Sequence, residues 1–293
     1  MKTVPAILGP TAVGKSKVAF EVALKLAGDV LVADSRQVYR LLEIATNKPL
    51  PEDREKVRYH GLDLVDPERT FNVHQYVTAA SPVLRSVPTV ILEGGSNLYV
   101  DALLDGLTLA GVPPQPERRA ELEKLPVGEL AALVRRLDPE VELDFANPVR
   151  LVRAIEVLEI AGPPLSRLRA RVKPPWEGVR IGLQVPLQVL HARIAARCVR
   201  QLERGLIEET REALAAGVPA LSQVLSGTGY AETVAYLEGR ITRAELPELM
   251  ARNNRRLAKR QLTWLRRDGR IRWFEGGGDP VPAILNYLEE HLA

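Results

Sequence analysis

A parallel α/β sheet flanked by helices, with a helical subdomain inserted into it, is the fold this chain predicts, and three observations predict it. The apolar run Val4–Leu8 leads into Gly9-Pro10-Thr11-Ala12-Val13-Gly14-Lys15-Ser16 and then into an amphipathic stretch reaching Leu26, a strand–loop–helix unit. Short apolar segments, Val30–Ala33 and Thr89–Leu92, recur between stretches of helical period, as buried parallel strands do. Between Gly111 and Trp176 the texture changes: Pro113, Pro114 and Pro116 stand at one end and Pro163, Pro164, Pro174 and Pro175 at the other, with helical period between them in Glu129–Leu137 and Arg150–Ile160. The glycine loop makes the expected sheet P-loop NTPase-like.

The remaining elements follow in order. Val179–Val185 reads as a strand that resumes the core, Pro186 suits a first helical position, and long helices extend to about Arg267. A last strand, Ile271–Phe274, and a helix from Asp279 to Leu292 close the chain. The expected division is a core of residues 1–112 and 177–293 with an insertion of 113–176. At 293 residues the chain exceeds the usual single-core size, which agrees with two units.

Composition narrows the class. Hydrophobic residues make up 46% and charged residues 26%, and no stretch is long and apolar enough to span a bilayer, so a soluble protein away from membranes is expected. The N-terminus lacks a cleavable-signal pattern and Cys198 is the single cysteine, which points to the cytoplasm and excludes an internal disulfide. Net charge is +3, yet residues 1–146 hold 17 Lys/Arg against 21 Asp/Glu while residues 147–293 hold 23 against 16. Of those 23, 21 are Arg, whose planar guanidinium pairs with phosphate and stacks on bases, so the second half favours a nucleic-acid partner.

The loop Gly9 to Ser16 matches G-x-x-x-x-G-K-[ST] in full. Successive backbone N–H groups make an anion site at a helix N-terminus, Lys15 adds a point charge, and the Ser16 hydroxyl is a ligand for Mg²⁺. The motif reads phosphates alone, so a nucleotide such as ATP and a prenyl diphosphate look the same to it. Asp34 follows the second strand, at the end where parallel sheets bind ligands. Residue chemistry leaves three roles open: a carboxylate behind Mg²⁺, a general base, or the cap of a turn.

Beyond Asp34 the pattern resembles one family. Asp34-Ser35-Arg36-Gln37-Val38-Tyr39-Arg40 with Ile44-Ala45-Thr46-Asn47-Lys48-Pro49 is similar to the "DS.Q.YR…DIGTAKP" block of tRNA dimethylallyltransferases. His60 to Pro67, Gly94-Gly95-Ser96-Asn97-Leu98-Tyr99, Asn147 to Glu156 and Ala258-Lys259-Arg260-Gln261-Leu262-Thr263-Trp264 resemble further blocks of that family in the same order. The resemblance implies transfer of the five-carbon group of dimethylallyl diphosphate to N6 of the adenosine just 3′ of the anticodon. It implies that Lys15 and Ser16 hold the diphosphate and Mg²⁺, that Asp34 accepts the N6 proton, and that Ser96 assists at the diphosphate or the base. Ser35, Arg36 and Gln37 would line the path of an extruded adenine. The partners implied are dimethylallyl diphosphate and the tRNA anticodon stem-loop, and a monomer is expected.

Departures from the family pattern are local. Leu225-Ser226-Gly227-Thr228-Gly229-Tyr230-Ala231 stands where the family shows "IGY" with a basic residue nearby, so a diphosphate-binding Arg expected there is absent. Between Arg252 and Arg272 nine Lys/Arg meet one acid, Asp268; in a helix most of them share a side, while Leu257, Trp264 and Leu265 would face the core. Lys259, Arg260 and Gln261 are the expected RNA contacts of that segment. Arg150, Arg153, Arg167, Arg169, Arg171 and Lys173 form a second basic cluster, on the insertion. The rival readings are a P-loop small-molecule kinase, an adenylate isopentenyltransferase, and a nucleotide-switched RNA-binding module without catalysis.

Overall fold

The computed structural model describes residues 1–107, 112, 115–162, 164, 165 and 172–292, residue 292 by its backbone alone. Six strands form one sheet: β1 (Lys2–Leu8), β2 (Asp29–Ala33), β3 (Tyr59–His60), β4 (Val90–Gly94), β5 (Trp176–Gln184) and β6 (Arg272–Glu275). Every pairing is parallel and the order is β3-β2-β4-β1-β5-β6. The expected strands are all present, each within a few residues of its expected ends. The edge strand β3 was not expected; it is two residues long and has no apolar run to announce it.

The topology fixes where a ligand can sit. From β1 the chain runs to β2 and β3 on one side, and later to β5 and β6 on the other, so the order reverses at β1 and opens a crevice at the strands' C-terminal ends. Leu8 is level with Gly94 and with Gly182, and Ala33 is level with Gly94. The segments that begin at Gly9, Asp34 and Gly95 therefore leave the sheet side by side.

The first helices are α1 (Lys15–Lys25), α2 (Pro51–Lys56), α3 (Val73–Ser86) and α4 (Asn97–Asp105). Helix α1 buries Val18, Ala19, Val22 and Ala23, the i, i+1, i+4, i+5 set of a helix with one apolar face. Helix α3 starts at a capping box in which the Asn72 side chain accepts from Gln75 N and Gln75 answers from Asn72 N. In the inserted segment α5 (Pro116–Leu122), α6 (Val127–Leu137) and α7 (Pro148–Ala161) follow. After β5 come α8 (Leu187–Glu203), α9 (Leu206–Ala215), α10 (Tyr230–Leu237) and α11 (Leu246–Leu265), with α12 (Val281–Leu292) last. Pro186 is the N-cap of α8, one residue ahead of the expected helical position, its missing N–H costing nothing there.

Packing divides the chain into Met1–Leu104 with Pro175–Ala293, and Asp105–Pro174. The second unit begins before the prolines that suggested its start, because Val172 N donates to Gly106 O (3.0 Å) and closes the segment on itself there. Its own core gathers Leu122, Leu130, Val134, Leu151 and Ile155. At its centre the Glu156 side chain is fully buried and accepts from Gln115 N (3.0 Å), Arg119 Nη2 (2.6 Å) and Arg153 Nη1 (3.4 Å). Burial pushes this carboxyl up, but the Arg119 and Gln115 bonds outweigh it and hold it below the usual carboxylate range. A depressed folded pKa gives stability that is complete above the unfolded value and is lost as pH falls through the folded one. Glu156→Ala is expected to destabilise this unit by about 1 to 3 kcal/mol, since its partly exposed arginines regain water. Hydrogen exchange of the α5–α7 amides, compared at neutral and acidic pH, checks both statements.

Candidate active site

A cavity of about 590 Å³ opens at the C-terminal ends of the strands, and residues from the phosphate loop, from the segments after β2 and β4, and from α8 and α11 line it. The sequence builds its floor. Gly9 turns with φ 154°, and a Cβ there would meet Leu183 O at 2.9 Å, so the chain can leave β1 at this angle only with glycine. Gly14 is the N-cap of α1 with φ 110°, no side chain caps the helix, and its first turn has no acid. The N-terminal amides and the positive end of the helix dipole are thus left to an external anion.

Of the eight loop residues, Thr11, Ala12, Gly14, Lys15 and Ser16 line the cavity; Gly9, Pro10 and Val13 shape the loop behind it. Lys15 is buried and its Nζ donates to Pro10 O (3.0 Å). Burial pushes its pKa down, Glu93 and Asp34 push it back up, and Arg197 pushes it down. The Ser16 hydroxyl donates to Glu93 Oε1 (3.3 Å). Glu93 itself is buried, and burial raises its pKa against the pull of Lys15. Sequence reading passed over this carboxylate because it ends an apolar strand; its place one residue before the Gly94-Gly95 pair was the available signal.

Asp34 also lines the cavity. Its Oδ1 accepts from Arg36 N (2.7 Å) and Gln37 N (3.3 Å), which fixes the carboxylate by a turn of its own backbone. Turn cap and cavity wall are therefore both true of it. The tyrosines Tyr39, Tyr76 and Tyr99 are buried, the last two stacked with ring centroids 4.5 Å apart, and Asp34 helps to raise the pKa of both stacked rings. Ser96 bridges strand ends: its hydroxyl accepts from Ser35 N (2.9 Å) and its N–H donates to Ala33 O (3.1 Å). That hydroxyl keeps its own proton to donate. Arg36 lines the cavity and Gln37 is buried beside it. Gly227 makes room for the arginine, since a Cβ there would stand 3.1 Å from Arg36 Nε.

On α11 the residues separate by helical phase. Ala251, Asn254, Ala258 and Leu265 are buried, while Arg252, Arg256, Lys259 and Arg260 are exposed. Three sequence expectations change here. Gln261, expected on an RNA face, turns inward: its Oε1 accepts from Thr11 N (2.8 Å) and its Nε2 donates to Gly95 O (2.9 Å), so both ends of the amide are spent bracing the phosphate loop against the β4 turn. Trp264, expected in the core, is 38% exposed, with its indole N–H donating to Asp101 Oδ2 (2.9 Å). Leu257 lines the cavity. In the insertion Arg150 and Lys173 are exposed, but Arg153 donates to Val112 O (2.5 Å) and Glu156, which gives it a packing task. Arg167, Arg169 and Arg171 lie outside the described residues.

Helix α8 supplies what the sequence reading lacked. Arg193 and Arg197, one turn apart on the same face, line the cavity together with Arg200. Arg193 Nη1 donates to Val13 O (3.0 Å) and its Nη2 to Gly276 O (3.2 Å), tying the back of the phosphate loop to the loop after β6. Arg197 Nη2 donates to Asn254 Oδ1 (3.0 Å). With Lys15, Lys17, Arg36 and Lys48, seven Lys/Arg line a cavity whose only acids among the described residues are Asp34, Asp53 and Glu93. An anionic ligand suits that imbalance.

Residues 37–268 match the family described as IPP transferase. The chain is 40% identical over 282 residues to a tRNA dimethylallyltransferase of Synechococcus sp. (strain JA-3-3Ab), covering 94% of this chain and 83% of that one. It is 35% identical over 292 residues to a tRNA dimethylallyltransferase of Thermomicrobium roseum (strain ATCC 27502 / DSM 5159 / P-2), covering 94% and 86%. The crystal structure of the full-length tRNA isopentenylpyrophosphate transferase of Bacillus halodurans is similar in fold, with a TM-score of 0.76 at 32% identity over 100% of this chain and 97% of that one.

Proposed function

The chain belongs to the IPP transferase family, and from that premise we propose that it is a tRNA dimethylallyltransferase, a prenyltransferase that moves the five-carbon group of dimethylallyl diphosphate onto N6 of the adenosine 3′ of the anticodon. The observation that carries the reading is one cavity in which the Asp34 carboxylate shares walls with the phosphate loop and an excess of cations. In the reaction the N6–C bond forms as the C–O bond to diphosphate breaks. The N6 proton passes to the Asp34 carboxylate, and diphosphate leaves with the electron pair of the broken bond. A neutral exocyclic amine is a poor nucleophile, so a carboxylate held by its own turn is well placed to take that proton as attack develops.

Lys15 and the α1 N-terminus oppose the charge that grows on the leaving oxygen. Mg²⁺, when bound, supplies further neutralisation there. The Ser16 hydroxyl beside a Glu93 carboxylate oxygen offers the hard oxygen donors that such an ion takes. Among the described residues no group of three or more His, Cys, Asp or Glu comes together as a metal site, so diphosphate oxygens and water would complete the shell. The adenine must leave the anticodon-loop stack to reach Asp34. Arg36 and Gln37 adjoin that carboxylate and line its approach, while Ser35, next to it in the chain, is tied by its N–H to the Ser96 hydroxyl. No helix among the described residues is long and apolar enough to cross a membrane. The enzyme is read as a cytoplasmic monomer.

The exposed side of α11, with Lys259 and Arg260, is the proposed seat of the RNA backbone; in the insertion, taken by itself, the exposed Arg150 is a proposed RNA contact. Reversing the charge of both Lys259 and Arg260 is expected to weaken tRNA binding and flatten its dependence on salt, because each lost phosphate contact releases one fewer counterion. Diphosphate affinity is expected to hold. Filter binding of tRNA across a salt series checks this, and an unchanged slope would return the run to a solvated face. The overall reading is tested by supplying dimethylallyl diphosphate with either unmodified tRNA or free AMP and following diphosphate release, which the reading expects with tRNA alone.

A further inference from the structure

The segment 225–231 brings no cation to the cavity, and of the phosphate loop only Lys15 carries a charge. A diphosphate has two phosphoryl groups, so beyond the one ammonium and the helix terminus of the loop it can engage further cations of the cavity wall. Helix α8 stands across the cavity, and its arginines divide by their bonds. Arg193 has both terminal nitrogens engaged by backbone carbonyls. Arg197 differs. Its Nε is buried with no hydrogen-bond partner, its one side-chain bond is to Asn254, and no carboxylate lies within ion-pair distance of it among the described residues.

A half-buried guanidinium whose Nε–H is buried and unpaired, with no counter-ion, is costly in the empty protein. The cost is offset when an anion arrives. Burial does push the Arg197 pKa down, with Arg200 adding to the fall, while the neighbouring Cys198 and, less strongly, Asp34 push it back up. Lys15 and Arg197 line the same cavity, and Arg197 disfavours the charge of the Lys15 ammonium there only until an anion joins them. Asn254 is itself buried and anchored by Nδ2 to Met250 O (2.9 Å), so its Oδ1 holds the guanidinium in one orientation while a nitrogen remains for a ligand.

We propose that Arg197 is a diphosphate-binding residue of this enzyme, which clamps the leaving group opposite Lys15, with Asn254 as the residue that positions it and Arg193 as the brace of the loop. The inference rests on the function proposed above but concerns the diphosphate alone, so it can be tested apart from transfer.

The test uses the full chain and inorganic diphosphate as probe. Arg197→Ala and Arg197→Lys are compared with wild type by calorimetric titration, by the shift in melting temperature that saturating diphosphate produces, and by tRNA affinity. The expected result is a loss of diphosphate affinity of about 10- to 100-fold in the alanine variant, the range of a charge-assisted hydrogen bond. Lysine should recover part of it. The diphosphate-induced melting shift should shrink in step, with tRNA affinity unchanged. A merely structural role would lower the melting temperature of the free protein and leave the affinity of the folded fraction at the wild-type value; that outcome overturns the proposal, as does an alanine variant with wild-type affinity. If wild type binds diphosphate but fails to prenylate tRNA, the functional reading falls, and the Arg197 proposal still stands when the alanine variant loses the affinity.

Discussion

Asp34→Asn is expected to cut the single-turnover rate of transfer by about 10² to 10⁴, the usual reach of a general base, while affinities for Mg²⁺-diphosphate and tRNA stay near wild type. The amide keeps the size of the carboxylate and an oxygen for the Arg36 and Gln37 amides, so the turn survives. What it loses is a place for the N6 proton. A carboxylate that served the metal would fail differently: the Mg²⁺ requirement would rise and the rate would return at high Mg²⁺. Rapid-quench assays across a Mg²⁺ series separate the two, and recovery by Mg²⁺ alone would remove Asp34 from the role of base.

Lys15→Ala is expected to lower the transfer rate by roughly 10² to 10³, about 3 to 4 kcal/mol of barrier, typical when one preorganised electrostatic group is removed. The loop amides remain, so residual diphosphate binding persists. Because burial already holds the Lys15 pKa down in the empty protein, with Glu93 and Asp34 opposing that, its charge is lost at lower pH than for a free lysine. Diphosphate affinity should therefore decline as pH rises through that lowered value, and the decline should vanish in Lys15→Ala. Steady-state kinetics and diphosphate titration over an alkaline pH series measure both effects.

Much of this site was legible because glycine and charge leave a strong mark in sequence. The phosphate loop needs a fixed spacing to turn from strand to helix, and Asp34 announces itself by following Val30–Ala33, an apolar run it does not continue. Glu93 gave no such mark, since a carboxylate that closes the apolar run of β4 reads as the next turn rather than as a wall of the cavity. Arg193 and Arg197 were hidden for a related reason: arginines one turn apart on a helix usually face water, and only the packing of α8 across the crevice turns them inward. Gln261 was misplaced by its basic neighbours, although its spacing of three from buried Ala258 put it on the inner side. Trp264 was expected in the core with Leu257 and Leu265 as an apolar residue of a basic helix, whereas an indole with a polar handle is content at a surface where Asp101 accepts its N–H.

The family assignment also sharpens what the cavity has to do. A kinase and a prenyltransferase place the same demand on the loop, so the loop does not choose between them. The difference lies in the acceptor, and for the proposed acceptor the cavity offers a carboxylate held by a turn, an adjoining arginine given room by Gly227, and a wall that includes Thr46, Asn47 and Lys48. Lys48 is anchored to Asp63 (2.5 Å), and Gln201 Nε2 donates to Ile44 O and Asn47 Oδ1. These bonds restrain the segment 44–48, which would serve the preorganisation that the proposed positioning of a base beside the Asp34 carboxylate requires.

The most direct measurement is the chemical outcome itself. Unmodified tRNA is incubated with the full chain, dimethylallyl diphosphate and Mg²⁺, digested to nucleosides and analysed by mass spectrometry, with nuclease mapping of the modified position. The account predicts one dimethylallyl group on N6 of the adenosine 3′ of the anticodon and release of one diphosphate per group transferred. Prenylation of free AMP with tRNA left unmodified, or phosphate transfer from a nucleotide in place of prenyl transfer, would contradict it.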